Sequence, residues 1–285
     1  MGSLICFGIA TGTLKIRRKS GSGPQQRGGE MRKAKFLSNV LATILLVLPL
    51  SSKSLQAQIA AVLEVGSFSK ALPGQDLPEG WKPLTFQNIE KKTQYRLVKD
   101  GDTVVVKAVS VASASGLIRE LKIDPKEFPI LQWRWKIGNI LKRGNVKTRE
   151  GDDYPARIYI AFEYDPKKLN FFEKTKYNTY RILYGQYPPL RAINYIWEST
   201  APKGTAVPNP YASRVLMIVV ESGPEKINQW ISQERNVFED YQKAFGEDPP
   251  MISGVALMTD TDNTGESAMA YYGDISFHKG GSKND

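Results

Sequence analysis

An all-β fold, an antiparallel β-sandwich of jelly-roll type, follows from three features of this 285-residue chain. Apolar and polar residues alternate with a period of two in one segment after another, Gly, Pro, Asn and Asp punctuate those segments, and no strand–helix–strand rhythm interrupts them. One or two short helices are expected beside the strands.

The N-terminal 57 residues stand outside that pattern. Residues 1–30 show no apolar periodicity and read as a non-native or disordered extension. Residues 31–57 read as a secretory signal, with Arg32, Lys33 and Lys35 in a charged n-region, Val40 to Leu50 as an apolar h-region, and Leu55-Gln56-Ala57 as the cleavage site. That apolar run is shorter than the ~18 residues a membrane-spanning helix needs, so cleavage is expected rather than anchoring. The expected mature protein, residues 58–285, is a single jelly-roll domain in the periplasm or outside the cell, with no transmembrane segment.

Composition excludes several chemistries. Cys6 is the one cysteine and precedes the leader, and His278 is the one histidine. Cysteine nucleophiles, Ser-His-Asp triads and His-rich zinc sites are therefore not expected in the mature chain. Nine of the 39 Lys/Arg but one of the 29 Asp/Glu fall in residues 1–57, which leaves 30 basic against 28 acidic groups in the remainder. A charge near +2 gives no global excess for phosphates, so nucleic acid is not an expected partner.

Taken in order, Tyr95 to Val98 and Thr103 to Val109 flank Asp100-Gly101 as a β-hairpin. Leu131 to Ile137 alternates strictly, putting Leu131, Trp133, Trp135 and Ile137 on one face and Gln132, Arg134 and Lys136 on the other. In the next strand Ala156, Ile158, Ile160 and Phe162 oppose Arg157, Tyr159, Ala161 and Glu163. Ile193 to Trp197, Val215 to Val220 and Met251 to Thr259 are further strands, the second apolar on both faces like a strand covered on both sides. Ile227 to Arg235 is open between helix and strand. Asn236 with Glu239 makes a capping box for a helix with Phe238, Tyr241 and Phe245 as its buried stripe, and Gly246 before Pro249-Pro250 stops it. Met269 to Phe277 closes the series, alternation placing Tyr272 and Asp274 opposite Ile275 and Phe277. Tyr187-Pro188-Pro189 and Pro208-Asn209-Pro210-Tyr211 read as surface loops.

Five segments carry a family resemblance: Gly151-Asp152-Asp153-Tyr154-Pro155-Ala156-Arg157, Ala192 to Trp197, Pro208 to Tyr211, Glu234 to Val237, and Met258 to Gly265. Together they resemble the bacterial family catalogued as domain of unknown function 3047, over about Phe68 to Phe277. The resemblance brings no activity with it. Strand order and the closing Tyr271-Tyr272-Gly273-Asp274-Ile275 also look like the galactose-binding-like jelly rolls of carbohydrate-binding modules, at the level of fold.

Three constellations carry chemistry. Asp260, Asp262 and Asn263 crowd hard oxygen ligands into one turn, which suits Ca²⁺ although no cofactor is required; the alternative is an Asx-rich turn. Asp152 and Asp153 are adjacent carboxylates ahead of Arg157, with a solvated strand entry or an ion pair as the alternative. The polar face of Arg134, Lys136, Arg157, Tyr159, Glu163, Tyr272 and Asp274, joined by Asn194 and Glu198, is expected to line one groove. From these, Arg134, Asp153, Arg157, Tyr159, Asn194, Glu198, Tyr272 and Asp274 are the expected ligand-binding residues, Arg157 pointing into the groove or to solvent.

The function expected is binding of a carbohydrate or other cell-envelope ligand. The alternatives are a polysaccharide hydrolase or lyase using carboxylates or Tyr/Arg, and a non-catalytic structural protein of the envelope. Carboxyl groups facing across a groove at roughly 5 to 10 Å would mark the hydrolase; carboxylates tied up in ion pairs would mark the binding protein.

Overall fold

The computed structural model describes residues 61–75, 77–163 and 191–280. The leader, Cys6 and the Tyr187-Pro188-Pro189 loop lie outside the described residues. In chain order the elements are β1 (Val62–Gly66), β2 (Lys82–Leu84), β3 (Gln94–Asp100), β4 (Thr103–Val111), β5 (Ala114–Ile123), β6 (Ile130–Ile137) and β7 (Ala156–Phe162). There follow β8 (Ala192–Glu198), β9 (Ala206–Pro208), β10 (Val215–Ser222), β11 (Ile231–Asn236), the helix α1 (Val237–Phe245), β12 (Ile252–Asp260) and β13 (Ser267–His278). Among the described residues no helix is long and apolar enough to cross a membrane.

The strands form two sheets packed face to face. The six-stranded sheet runs β11-β6-β13-β4-β3, with β1 on β13 as well, and the seven-stranded sheet runs β2-β5-β12-β7-β8-β10-β9. The chain crosses from one sheet to the other at β1–β2, β2–β3, β4–β5, β5–β6, β6–β7, β10–β11, β11–β12 and β12–β13, the wrapping expected of a jelly roll. One pairing departs from the antiparallel expectation: β10 runs parallel to β8. After β8 the chain makes the short β9 and turns back antiparallel to it, and β10 inserts between the two.

The core lies between the inner faces. Leu131, Trp133, Trp135 and Ile137 of β6 all point into it, as the alternation requires. Trp133 meets Trp135 edge-on at 5.4 Å between ring centres and Tyr195 at 5.4 Å, and Trp135 reaches Trp197 at 6.1 Å. Ala156, Ile158, Ile160 and Phe162 of β7 face the same interior. Alternation does not reveal β2 and β9, three residues each, or β5, whose first half is buried on both faces. Gly116 in β5 permits that burial, since a Cβ there would lie 2.8 Å from the Leu257 carbonyl.

The β13 register corrects one expectation. Tyr272 pairs with Trp135 and Ile275 with Trp133, so Gly273 and Asp274 together oppose the single residue Arg134. This is a β-bulge, and its extra residue resets the alternation. Tyr272 therefore joins Ile275 and Phe277 in the core instead of opposing them, while Asp274 stays outside. Buried, the Tyr272 hydroxyl donates to the Met258 carbonyl at 2.6 Å and lies 2.8 Å from Thr259 Oγ1.

The open segment resolves as strand β11, which passes directly into α1. Asn236 Oδ1 accepts the Glu239 amide at 3.1 Å, Asn236 Nδ2 donates to Glu239 Oε1 at 2.9 Å, and Gly246 at φ 71 ends the helix. The buried residues are Val237, Asp240 and Tyr241, with Phe238 half-buried, because Val237 continues the inward parity of Gln233. Asp240 is satisfied there by Tyr195 Oη at 2.8 Å and by Arg235 Nε at 2.9 Å.

Truncation at the centre of this core removes a large buried ring and leaves a cavity. Trp133→Ala is expected to lower stability by ~3 to 5 kcal/mol in denaturant unfolding; an unchanged midpoint would contradict the core assignment.

Candidate functional site

The expected single groove is divided by the sandwich. Arg157, Tyr159, Asn194 and Glu198 occupy the outer face of the seven-stranded sheet, Arg134, Lys136 and Asp274 that of the six-stranded sheet, and Tyr272 lies between the sheets. Glu163, just beyond β7, pairs with Lys122 at 2.7 Å.

On the seven-stranded face, three of the segments that carry the family resemblance close into a buried polar knot. Arg157 is 4 % exposed and forms an ion pair with Asp260, with its Nη2 also 3.1 Å from Met258 Sδ. Its guanidinium carbon lies 5.2 Å from the ring centres of both Tyr154 and Tyr159. The expectation that Arg157 points into a groove or to solvent is thus corrected: residues covering both faces of β7 leave it inside. Asp152 accepts from Asn209 Nδ2 at 2.9 Å and from the Tyr154 hydroxyl at 3.0 Å. Asp153 accepts the backbone amides of Thr264 at 2.6 Å and Asn263 at 3.3 Å.

Neighbouring residues complete the knot. Asn209 Oδ1 accepts the amides of Tyr211 and Ala212 at 2.9 and 3.1 Å, folding the Pro208–Tyr211 loop onto Asp152. Glu198 accepts the Val146 amide at 3.2 Å and caps Thr200 and Ala201. Asn194, fully buried, turns Nδ2 toward Met217 Sδ at 3.5 Å, and its Oδ1 has no partner among the described residues. Tyr159 packs with Leu84, Phe86 and Met258.

Carboxylates outnumber the cation here. Oxygen atoms of Asp153, Asp260 and Asp262 lie within 4.8 Å of one another. Asn263, also expected in the metal set, donates its side-chain Nδ2 to Tyr211 Oη at 2.7 Å, which does not engage its Oδ1. Burial pushes Asp260 well up against the pull of Arg157, and Asp153, Asp262 and Asp152 add repulsion. Burial likewise raises Asp152. Asp262, at the mouth of the knot, is pushed up to about 6 by burial and by Asp153.

On the six-stranded face lies an open groove of about 380 Å³, lined by Gln132, Arg134, Ser232, Glu234, Asp274 and Ser276, with Trp133 and Gln233 beneath. The β13 bulge shapes it. A Cβ on Gly273 would fall 2.5 Å from Arg134 Cγ and Nε, so glycine lets the Arg134 side chain lie across the strand. Its guanidinium carbon rests 4.7 Å from the centre of the Trp230 ring. Asp274 reaches to the first turn after β1, accepting the Ser69 amide at 2.8 Å and the Ser69 hydroxyl at 2.5 Å. Glu234 accepts from Gln132 Nε2 at 2.7 Å.

Sequence reasoning nominated Arg134 and Asp274 for this groove but not Gln132, Ser232, Glu234, Ser276 or Trp230. The strict alternation of β6 already put Gln132 outside, and a glycine within a strand is the mark of a bulge. The partnership with β11 had no local signal.

The raised Asp262 has a consequence for pH. A carboxyl whose folded pKa lies above its unfolded value of about 3.9 keeps a proton that the unfolded chain has lost. Its contribution to stability is present below that unfolded value and is lost as pH rises through about 6. In chelator, Asp262→Asn is expected to melt higher than wild type near neutral pH, with the two curves converging as the pH falls to about 4. Melting temperatures measured across that range test this; parallel curves would contradict it.

Comparison with known proteins adds a family and no activity. No curated protein matches the chain. Among solved structures, the glycoside hydrolase domain of Endo-D from Streptococcus pneumoniae R6 aligns at 10 % identity over 70 % of this chain and 21 % of its own, with a TM-score of 0.27. An arabinose-bound α-L-arabinofuranosidase, MgGH51, aligns at 10 % identity over 79 % and 27 %, TM-score 0.37, and the agarase AgWH50C at 8 % over 78 % and 25 %, TM-score 0.29. The chain thus spans about a quarter or less of each of those chains, and likenesses at these scores carry no argument about function. The family described as Protein of unknown function (DUF3047) matches residues 79–276, most of the chain, and to that family this protein belongs.

Proposed function

We propose that this is an exported, non-catalytic binding protein that takes a carbohydrate in the groove on the six-stranded sheet. The observation that carries the reading is Arg134. Its guanidinium lies in the groove against Trp230 and makes no hydrogen bond or ion pair among the described residues, so its donors remain available to a ligand. Around it stand an amide, two hydroxyls and two carboxylates, groups suited to sugar hydroxyls. Export rests on the leader expected at residues 31–57.

The engagement of the groove's carboxylates, and of those in the knot other than Asp262, favours binding over hydrolysis. Asp152, Asp153 and Asp260 are held by amides, a tyrosine hydroxyl or Arg157, and Asp274 and Glu234 by Ser69 and Gln132. Acid–base catalysis needs a carboxyl free to exchange its proton with the reacting bond. A glycan array on protein recovered from the medium or periplasm, its N-terminus read by mass spectrometry, tests the proposal. Binding should be lost by at least about tenfold in Arg134→Ala with the fold intact. Equal binding by the variant, hydrolysis of a bound glycan, or a Met31 terminus would each overturn the part it addresses.

The Ca²⁺ expected of the acidic turn belongs to the same reading with a changed ligand set, Asp153, Asp260 and Asp262. Three carboxylates within 4.8 Å, of which Asp260 is paired with Arg157, offer hard oxygens and an excess of negative charge that a divalent ion would neutralise. On chelator-stripped protein, Ca²⁺ should raise the melting temperature where Zn²⁺ does not, and Asp262→Asn should abolish the rise. No heat and no shift with Ca²⁺ would leave a hydrogen-bonded turn.

A further inference from the structure

We infer that the ligand of the groove is an acidic polysaccharide, a chain bearing carboxylates, laid across the strands of the six-stranded sheet; this rests on the binding reading above. Register sets cations and rings side by side over the outer face. Tyr271 of β13 stands opposite Lys136 of β6 on one side and Lys107 of β4 on the other. The Lys136 ammonium lies 4.5 Å from the Tyr271 ring centre and 5.2 Å from that of Trp230, and Lys107 lies 5.7 Å from Tyr271. With Arg134 on Trp230, each ring carries two cations.

This arrangement selects a ligand class. A neutral sugar recognised by stacking needs a bare ring face, and here cations stand over both rings. Lys136 has its counter-ion, Asp100, at 2.7 Å, and Asp100 also accepts the Trp230 indole N–H at 2.7 Å. Arg134 and Lys107 form no ion pair within hydrogen-bonding distance of a carboxylate among the described residues, although the charge of Arg134 is felt by Asp100. The two lysines stand two strand spacings apart, about 9.6 Å. They form a row across the sheet that a polymer running perpendicular to the strands would follow. Carboxylates on such a polymer would supply the anions that Arg134 and Lys107 lack.

The same face disfavours a polyphosphate chain. Glu234 and Asp274 line the groove beside Arg134, and Asp100 sits among the cations. Those carboxylates accept hydrogen bonds from hydroxyls, which a polyphosphate backbone does not offer and a uronate carries beside its carboxylate. Uronates supply hydroxyls and carboxylates together.

Titration calorimetry on the full chain with polygalacturonate, alginate and hyaluronate, against methyl-esterified polygalacturonate and oligothymidylate, tests the inference. At least one uronate polymer should bind about tenfold or more tightly than the neutral ester. That binding should weaken as salt rises from about 0.05 to 0.5 M. Lys107→Gln should weaken binding of the acid several-fold and leave binding of the ester unchanged. Equal affinity for acid and ester, or no effect of Lys107→Gln, overturns the inference while the carbohydrate reading stands. Tightest binding to oligothymidylate overturns it in favour of nucleic acid. If the uronate polymers, the ester and the glycan array all fail, both readings fall together.

Discussion

The bulge at Gly273–Asp274 is the constraint on which the six-stranded sheet depends. β13 is its long central strand, paired with β6 along one edge and with β4 and then β1 along the other. Strict alternation over its whole length would send either Ala268, Ala270 and Tyr272 or Ile275 and Phe277 into water. One extra residue lets both sets face the core. The same insertion leaves Asp274 outside to hold the turn after β1, and puts a glycine where Arg134 must cross. Packing inside and the polar groove outside thus have a common origin.

The polar knot on the opposite face answers a different need. The loops ahead of β7, around Asn209 and after β12 are tied to one another by Asp152, Asp153 and Asp260, which bind their amides and side chains. Burying Arg157 with Asp260 is costly in desolvation, and removing either partner of such a pair usually costs ~3 to 5 kcal/mol. Geometry is what the pair contributes. It fixes the end of β12 against Tyr154, whose amide and carbonyl face Asp260 in turn.

Much of the fold was legible because the six-stranded sheet keeps a clean alternation on β6 and the helix carries its own start and stop signals. Trp133 and Trp135 show their side of the strand in their spacing alone. Legibility failed where both faces are covered. Arg157 and Tyr159 alternate as a polar face should, yet the seven-stranded sheet is buried on that side too, so pattern put them in a groove and packing put them in an ion pair. Tyr272 was misplaced because a period-two count runs straight through Gly273. Asn209 was visible as a loop residue, but its partnership with Asp152, 57 positions away, left no local trace.

The bulge glycine builds the groove by making room for Arg134. Gly273→Ala adds one methyl group 2.5 Å from that side chain and nothing to the core, so it should keep the cooperative unfolding of the wild type. A double-mutant cycle on glycan binding with Arg134→Ala is the direct measurement. Each change alone should abolish most of the binding, and the double variant should lose little more. Wild-type affinity in Gly273→Ala, or losses that simply add, would contradict it.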